Sequence, residues 1–402
     1  KRGILVKITD LRIRQLNGTM THPEPFWEER LIRPIDVYPT YRQKSRQNTT
    51  NHQEETYQMS SVFLQIDTDE GVTGLSGPIS PNHGYIINTQ LRSILIGQDP
   101  RANELLWDQM YRIAIHGRKG DTMMAISAVD CGLWDIRGKW VDQPLYRLLG
   151  GPTRESIPAY ASALGYSLEP EAVTRRAKEI VKQGYTATKW FFRNGPSDGK
   201  TGIAHNLRLA QTLREAVGNE IDIMLDAWNS WDIPYTLLMA ERLSEYDISW
   251  LEEPVLADKL DSYLKIQRQS PIQIAGGEHE YTRWGFRPIV EHRAMDILQP
   301  DIYWAGGISE VLKICALAAT FDLPVIPHGH SSHATAHLLA SQPPTLCPIQ
   351  EYLIKWNVMH QYFLKDKIEP TDGRISVSLL DKPGLGIILD PSVIESEKDL
   401  TW

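Results

Sequence analysis

Cysteine is scarce in this chain. Cys131, Cys315 and Cys347 are all it has, too few and too scattered for a disulfide framework. Cys131 and Cys315 fall within helical patterns and read as buried thiols, which suits a cytoplasmic enzyme. No apolar run approaches the roughly 18 residues of a membrane-crossing helix, so no membrane partner is expected. No long basic tract offsets the net charge of −8, which argues against nucleic acid and anionic lipid. Low-complexity segments are missing, and twelve tryptophans do not suit a disordered chain. The opening KRGILVKITDLRIRQLN alternates like a strand and lacks the apolar core and cleavage site of a leader peptide.

What is present is a spacing. The 402 residues, 42% of them hydrophobic, allow two or three domains with a sizeable core. In the second half, Asp226, Glu252, Glu278, Asp301, His328 and Glu351 each close a short apolar run, at steps of 26, 26, 23, 27 and 23 residues. A parallel strand with its returning helix needs about that length. The pattern therefore puts one polar side chain at the C-terminal end of each of six parallel strands, where a (β/α)₈ barrel builds its active site. PAYASAL and TATKWFF supply two earlier strands, giving the eight that close such a barrel. Before them, ILVKITDLRIRQL and SSVFLQIDTDEGVTGLSG read as antiparallel strands. Between those lies a polar, Pro-punctuated stretch, about residues 21–58, carrying Arg30, Arg33, Arg42 and Arg46; a stretch that long without periodicity is functional or disordered. In AISAVDCGLWDIRGKW, Ile126, Val129, Leu133 and Ile136 share one helix face, and the helix is expected to stop near LLGG. The expected organisation is an N-terminal α+β capping domain at 1–145, a barrel at 146–365, and a segment at 366–402 that packs back on the cap.

Asp226, Glu252 and Glu278 project from adjacent strands. Three carboxylates with water make an all-oxygen shell that suits Mg²⁺ better than Zn²⁺; helix caps and salt bridges are the competing reading. Glu253 alternates away along its strand and is the weaker ligand candidate. Asp301 and His328 on neighbouring strand ends can form a base and its orienting partner, against a histidine bonded to loop backbone. Lys189 can hold a substrate carboxylate or be a surface lysine. Glu351 can bond substrate or pair with a nearby base. His330, His333 and His337 read mostly as helix-start and packing residues, since no Glu follows His333 as a zinc-binding HExxH helix requires. A zinc hydrolase built on His328, His330 and His333 leaves the carboxylate series unexplained, and a sugar-acid binding protein without activity leaves the dyad unexplained.

LEEP at 251–254, GGE at 276–278, QPD at 299–301 and PHG at 327–329 are together similar to the enolase superfamily, nearest its mandelate racemase subgroup. KWFFRNGPSDG, GEHEYTRWGF and VIPHGHSS further resemble the L-rhamnonate dehydratase-like acid-sugar dehydratases. The resemblance implies a TIM-type barrel with a capping domain, Asp226, Glu252 and Glu278 as Mg²⁺ ligands, and a His328–Asp301 dyad with Glu351 beside it. It implies substrate contacts from Lys189, Arg46, His22 and His279, and assembly into a homo-oligomer. Racemases of this branch carry Lys-x-Lys on the second strand, the second lysine being a base. Here the triplet is Lys189-Trp190-Phe191, and Phe191 accepts no proton. The implied reaction is therefore one-base dehydration of a sugar acid, a hydro-lyase activity, rather than two-base racemization or epimerization.

Overall fold

A computed structural model describes residues 6–22, 26–42 and 56–402. Alternating burial makes β1 (Ile8–Thr21) and β2 (Thr56–Thr68) half-buried strands, and β3 (Gly74–Ile79) completes an antiparallel meander after a turn at Gly71. The helix Asp121–Val141 lies on this sheet and is buried on nearly every side. Strand and helix meet at two glycines: a Cβ on Gly74 would stand 2.4 Å from the Gly132 carbonyl oxygen, and one on Gly132 2.8 Å from Ile66. This helix does not run to the Gly150–Gly151 pair. It ends at Asp142, whose φ of 54° is left-handed, and Pro144, which lacks an amide hydrogen, precedes a separate short helix, Leu145–Leu148.

The barrel follows as β4 (Ser156–Ser162), β5 (Ala187–Phe191), β6 (Asp222–Asp226), β7 (Ile248–Glu252), β8 (Gln273–Gly276), β9 (Ile297–Leu298) and β10 (Gln350–Leu353). Neighbours in sequence pair in parallel from β4 to β9, and β10 pairs in parallel with β4. The seventh strand position is a single parallel bridge, Leu298 to Val325, with Val325 donating to the Leu346 carbonyl at 2.8 Å. Tyr160, Ala187, Met224, Trp250, Ala275, Ile297 and Ile326 form an apolar cluster of their own, the packed interior expected of a barrel whose polar work is done at one end.

The last segment divides. β11 (Arg374–Ser376) adds antiparallel to the start of β4, and β12 (Ser396–Asp399) adds antiparallel to β1. The cap sheet thus has the order β12-β1-β2-β3. Asp130 and Asp135 on the cap helix tie the parts together. Asp130 accepts from the Ser309 backbone at 2.9 Å and its hydroxyl at 2.6 Å, while Asp135 accepts from the amides of Leu75 and Leu385, each at 2.8 Å. No helix of the described residues is long and apolar enough to cross a membrane.

Candidate active site

Strand register assembles the polar mouth. Phe191, Asp226 and Glu252 are successive cross-strand partners at the ends of β5, β6 and β7. Glu278, Asp301 and His328 follow β8, β9 and the bridge at Val325, and Glu351 sits on β10 opposite Tyr160. All six expected strand-end residues are therefore at one end of the barrel.

Lys189 is not on the surface. It is 1% exposed and forms ion pairs with Glu252, with Glu351 at 2.8 Å and with Asp226 at 3.4 Å. Burial disfavours its charge, but Glu252 and Glu351 outweigh that and hold its pKa well above the ordinary value. Glu351 is pushed up by its own burial, and Lys189 followed by His328 more than offsets this, leaving it low; its other oxygen accepts from the Gly329 amide at 2.8 Å. Glu252 also accepts from Gln299 at 2.7 Å and the Trp250 indole at 2.9 Å.

His328 and Asp301 meet: Nδ1 lies 2.8 Å from Asp301 Oδ2, and Asp301 Oδ1 accepts from the Tyr303 amide at 2.7 Å. Nε2 of His328 looks toward Glu278 Oε2 at 3.6 Å. Against its burial, Glu278 and then Asp301 push the imidazole up to about 10.

The metal expectation can be tested against the donors. Asp226 is raised well above the usual carboxylate range by burial and then by Glu252. Glu278 is raised chiefly by burial, with His328 opposing. Buried carboxylates that crowd one another's charge are the donor chemistry a hard divalent cation satisfies, so Asp226 and Glu278 fit Mg²⁺, while Glu252 is already engaged by Lys189, Gln299 and Trp250. Next to them the sequence missed a cluster. Glu253, read as turned away, accepts from His279 Nδ1 at 2.7 Å, and ligand atoms of Glu253, Glu278 and His279 lie within 4.8 Å of one another. Glu253, Trp228 and Asn229 have φ of 39°, 40° and 63°; such left-handed non-glycine residues gather at functional sites, but no sequence pattern announced them.

Four of the polar groups face a cavity of about 190 Å³. Lys189, Asp226, Glu278 and His328 form its polar side; Leu31, Leu164, Phe191, Trp228, Leu353 and Trp356 its apolar side. Trp304 and His330 complete it. His330, expected at a helix start or in packing, lies in the loop just before the helix Ser332–Ser341 and stands 5.5 Å from the Trp304 ring. His333 and His337 are on that helix and do pack, bonding the Asp366 carbonyl at 3.0 Å and the Tyr146 amide at 3.1 Å. His22 follows β1 and meets Phe26 edge-on at 5.2 Å, outside the cavity wall. Arg30 and Arg33 pair with Asp36, and Arg42 donates to the Ser197 carbonyl at 2.6 Å, so two of these guanidinium groups hold the cap segment together, the third ties it to the barrel, and none lines this cavity. Arg46 falls outside the described residues.

A ring of carboxylates, a His–Asp pair and a capping sheet on one barrel define an enolase-type chain, and comparison with known sequences agrees. The profile "Mandelate racemase / muconate lactonizing enzyme, N-terminal domain" matches residues 41–150, and "Enolase C-terminal domain-like" matches 172–393. The chain belongs to this family. Among its relatives is L-rhamnonate dehydratase of Saccharopolyspora erythraea, 32% identical over 381 residues, 92% of each chain. The crystal structure of L-rhamnonate dehydratase from Gibberella zeae superposes with a TM-score of 0.83 at 33% identity, over 98% of this chain and 96% of that one. A structure of the Gibberella zeae rhamnonate dehydratase complexed with Mg gives 0.82 at 31% identity over the same shares.

Proposed function

We propose that this chain is a Mg²⁺-dependent hydro-lyase that dehydrates a sugar acid to a 2-keto-3-deoxy acid. The observation that carries the reading is the His328–Asp301 pair beside a cavity whose wall holds Phe191 where a second base would stand. Asp226, Glu252 and Glu278 would hold the cation, which when bound would supply positive charge against the negative charge that develops on the substrate carboxylate. Lys189 holds a carboxylate from the second strand. Asp301 keeps a proton on Nδ1 of His328, and a cation on Glu278 would take away the carboxylate charge that holds the imidazole up, freeing Nε2 to remove the C2 proton. The resulting imidazolium returns that proton to the C3 hydroxyl, which leaves as water, and the enol product becomes the keto acid. Glu351 stays with Lys189, and His279, bonded to Glu253, lines a neighbouring cavity of about 360 Å³ rather than this one. The same reading takes residues 1–145 as the cap over a barrel at 146–365. It includes a homo-oligomer, supported by the exposed Trp284, Ile113 and Ile115, and a cytoplasmic setting, supported by three free, buried cysteines.

The test is a panel of sugar acids incubated with Mg²⁺ and assayed for 2-keto-3-deoxy product. One acid is expected to turn over, and His328→Asn to lose both product formation and exchange of the C2 proton with solvent. Exchange that persists in His328→Asn would reveal a second base and restore the racemase reading; no keto acid from any sugar acid sinks the dehydratase.

A further inference from the structure

The loop between β9 and the helix Gly307–Ala319 carries Asp301, the partner of His328, and Trp304, whose ring centroid lies 5.0 Å from that of His328. Its hydrogen bonds lead into the cap. At the far end the Gly306 amide donates to Ser127 Oγ at 2.9 Å, and the Gly306 carbonyl accepts from the Trp107 indole at 2.7 Å. At the near end stands Tyr303, which is buried. Its amide donates to Asp301 Oδ1 at 2.7 Å, and its hydroxyl accepts from the Gly77 amide at 3.1 Å and from Ser76 Oγ at 3.3 Å. Ser76 and Gly77 lie on β3, the last strand of the cap sheet, where Val62 faces Ile79 and Leu64 faces Ser76. Three steps along β3 thus match two along β2, a bulge of the kind that re-aims groups beside active sites.

We propose that Tyr303 is a positioning residue for the dehydration: its hydroxyl, held by β3 of the cap, fixes the backbone amide that aims the Asp301 carboxylate at His328 Nδ1. The inference rests on the dehydratase reading, in which that carboxylate orients the base. The relay is short and continuous. One oxygen of Asp301 takes the Tyr303 amide and the other takes the imidazole at 2.8 Å, so turning the amide turns the carboxylate. The phenol transfers no proton itself. Burial holds its pKa well above the ordinary value. It lines a cavity of about 530 Å³ that Trp304 also borders, not the one that His328 faces. Without the hydroxyl, the Gly77 amide loses this acceptor in a buried place, and a buried donor left unpaired is unfavourable. The loop and β3 then shift apart, although the ring of residue 303 and its amide are unchanged.

Tyr303→Phe in the Mg²⁺-loaded full chain deletes only the hydroxyl. With a sugar acid that turns over, kcat is expected to fall about ten- to a hundredfold, the order that a misplacement of about 1 Å costs, while KM stays within about twofold. Ser309→Ala is the control. It deletes a hydroxyl from the same boundary of cap and barrel, where Asp130 and Trp134 bond it. Neither bond reaches Asp301, so kcat is expected to hold, whereas a general loosening of the boundary would lower it in both variants. A second readout needs no turnover. With ¹⁵N-labelled histidine, the Nδ1 proton of His328 is assigned by its loss in His328→Asn. In the unaltered chain it is expected far downfield, as a charge-assisted bond to a carboxylate places it, and to move or broaden in Tyr303→Phe but not in Ser309→Ala. An unmoved resonance in folded Tyr303→Phe overturns the proposal, and so does an unchanged kcat or an equal loss in Ser309→Ala. If Tyr303→Phe does not fold, Ser76→Ala removes one of the hydroxyl's two donors and is expected to move the same resonance; a resonance that stays in place decides against the proposal. If no acid turns over, the dehydratase reading is lost and the resonance alone decides the positioning.

Discussion

His333 shows how burial can silence a residue that sequence spacing advertises. Its Nε2 donates to the Asp366 carbonyl at 3.0 Å, and burial depresses its pKa from 6.5 to about 4. The unfolded chain takes up a proton as pH falls through about 6.5, while the folded chain does not until about 4. The stability this histidine contributes is thus complete above pH 6.5 and is lost as pH falls toward 4, about 2 kcal/mol of it by pH 5. Urea midpoints at pH 7.5 and pH 5 measure the loss, and His333→Gln, whose amide can still donate, should shrink it. Lys189 is the opposite case, a buried charge that three carboxylates keep charged. Lys189→Met leaves those carboxylates facing one another, and removing one partner of a buried pair costs about 3–5 kcal/mol. Thermal unfolding should show that drop, and added Mg²⁺ should recover part of it. Asp301→Asn is a third residue-scale expectation: the imidazole loses both its counter-charge and its fixed tautomer, and turnover should fall by about four orders of magnitude with the fold unchanged by circular dichroism.

At the scale of elements, the cap segment 26–31 is held by a glycine. Gly165, at φ 85°, lies so close to Trp27 that a Cβ would stand 2.0 Å from the indole. Its carbonyl accepts from the Glu28 amide at 2.8 Å and from Lys355 at 3.1 Å, and Lys355 also bonds Glu28 at 2.6 Å. Gly165→Ala should therefore cost about 1–3 kcal/mol. It should also raise KM, because Leu31 at the end of the segment forms part of the cavity wall. Faster tryptic cleavage at Arg30 reports the release of the segment; unchanged cleavage and KM would falsify this account of the latch. None of this was legible in the sequence. The strand ends were, because a parallel unit repeats at nearly constant length and places Asp226, Glu252 and Glu278 by arithmetic. The latch, the Glu253–His279 contact and the place of His330 depend on loops that approach from different units, and no period relates them. The arginines of the cap stretch were unplaced for a related reason: a stretch without periodicity reads only as functional or disordered, while Asp36, inside the same stretch, takes up Arg30 and Arg33.

For the whole molecule, the acidic mouth and the closing strand make separable predictions. Mg²⁺ that binds only the folded chain raises stability by about 2.7 kcal/mol at a hundred times its Kd. The unfolding temperature should climb with Mg²⁺ and climb much less in Glu252→Gln. Light scattering should give a mass that is a multiple of the chain mass if Trp284, Ile113 and Ile115 are covered in solution.

The pairing of β12 with β1 has a consequence for how the molecule is made. Arg12 bonds Asp399 across 387 residues, so the barrel is in effect an insertion between neighbouring strands of one sheet. A ribosome delivers the whole barrel before it delivers β12. Until then β1 carries an open edge, and an open edge is a template for another chain. Synthesis therefore has a vulnerable interval in which the barrel has the residues it needs and the cap does not, and it ends only when the last strand docks beside one of the first.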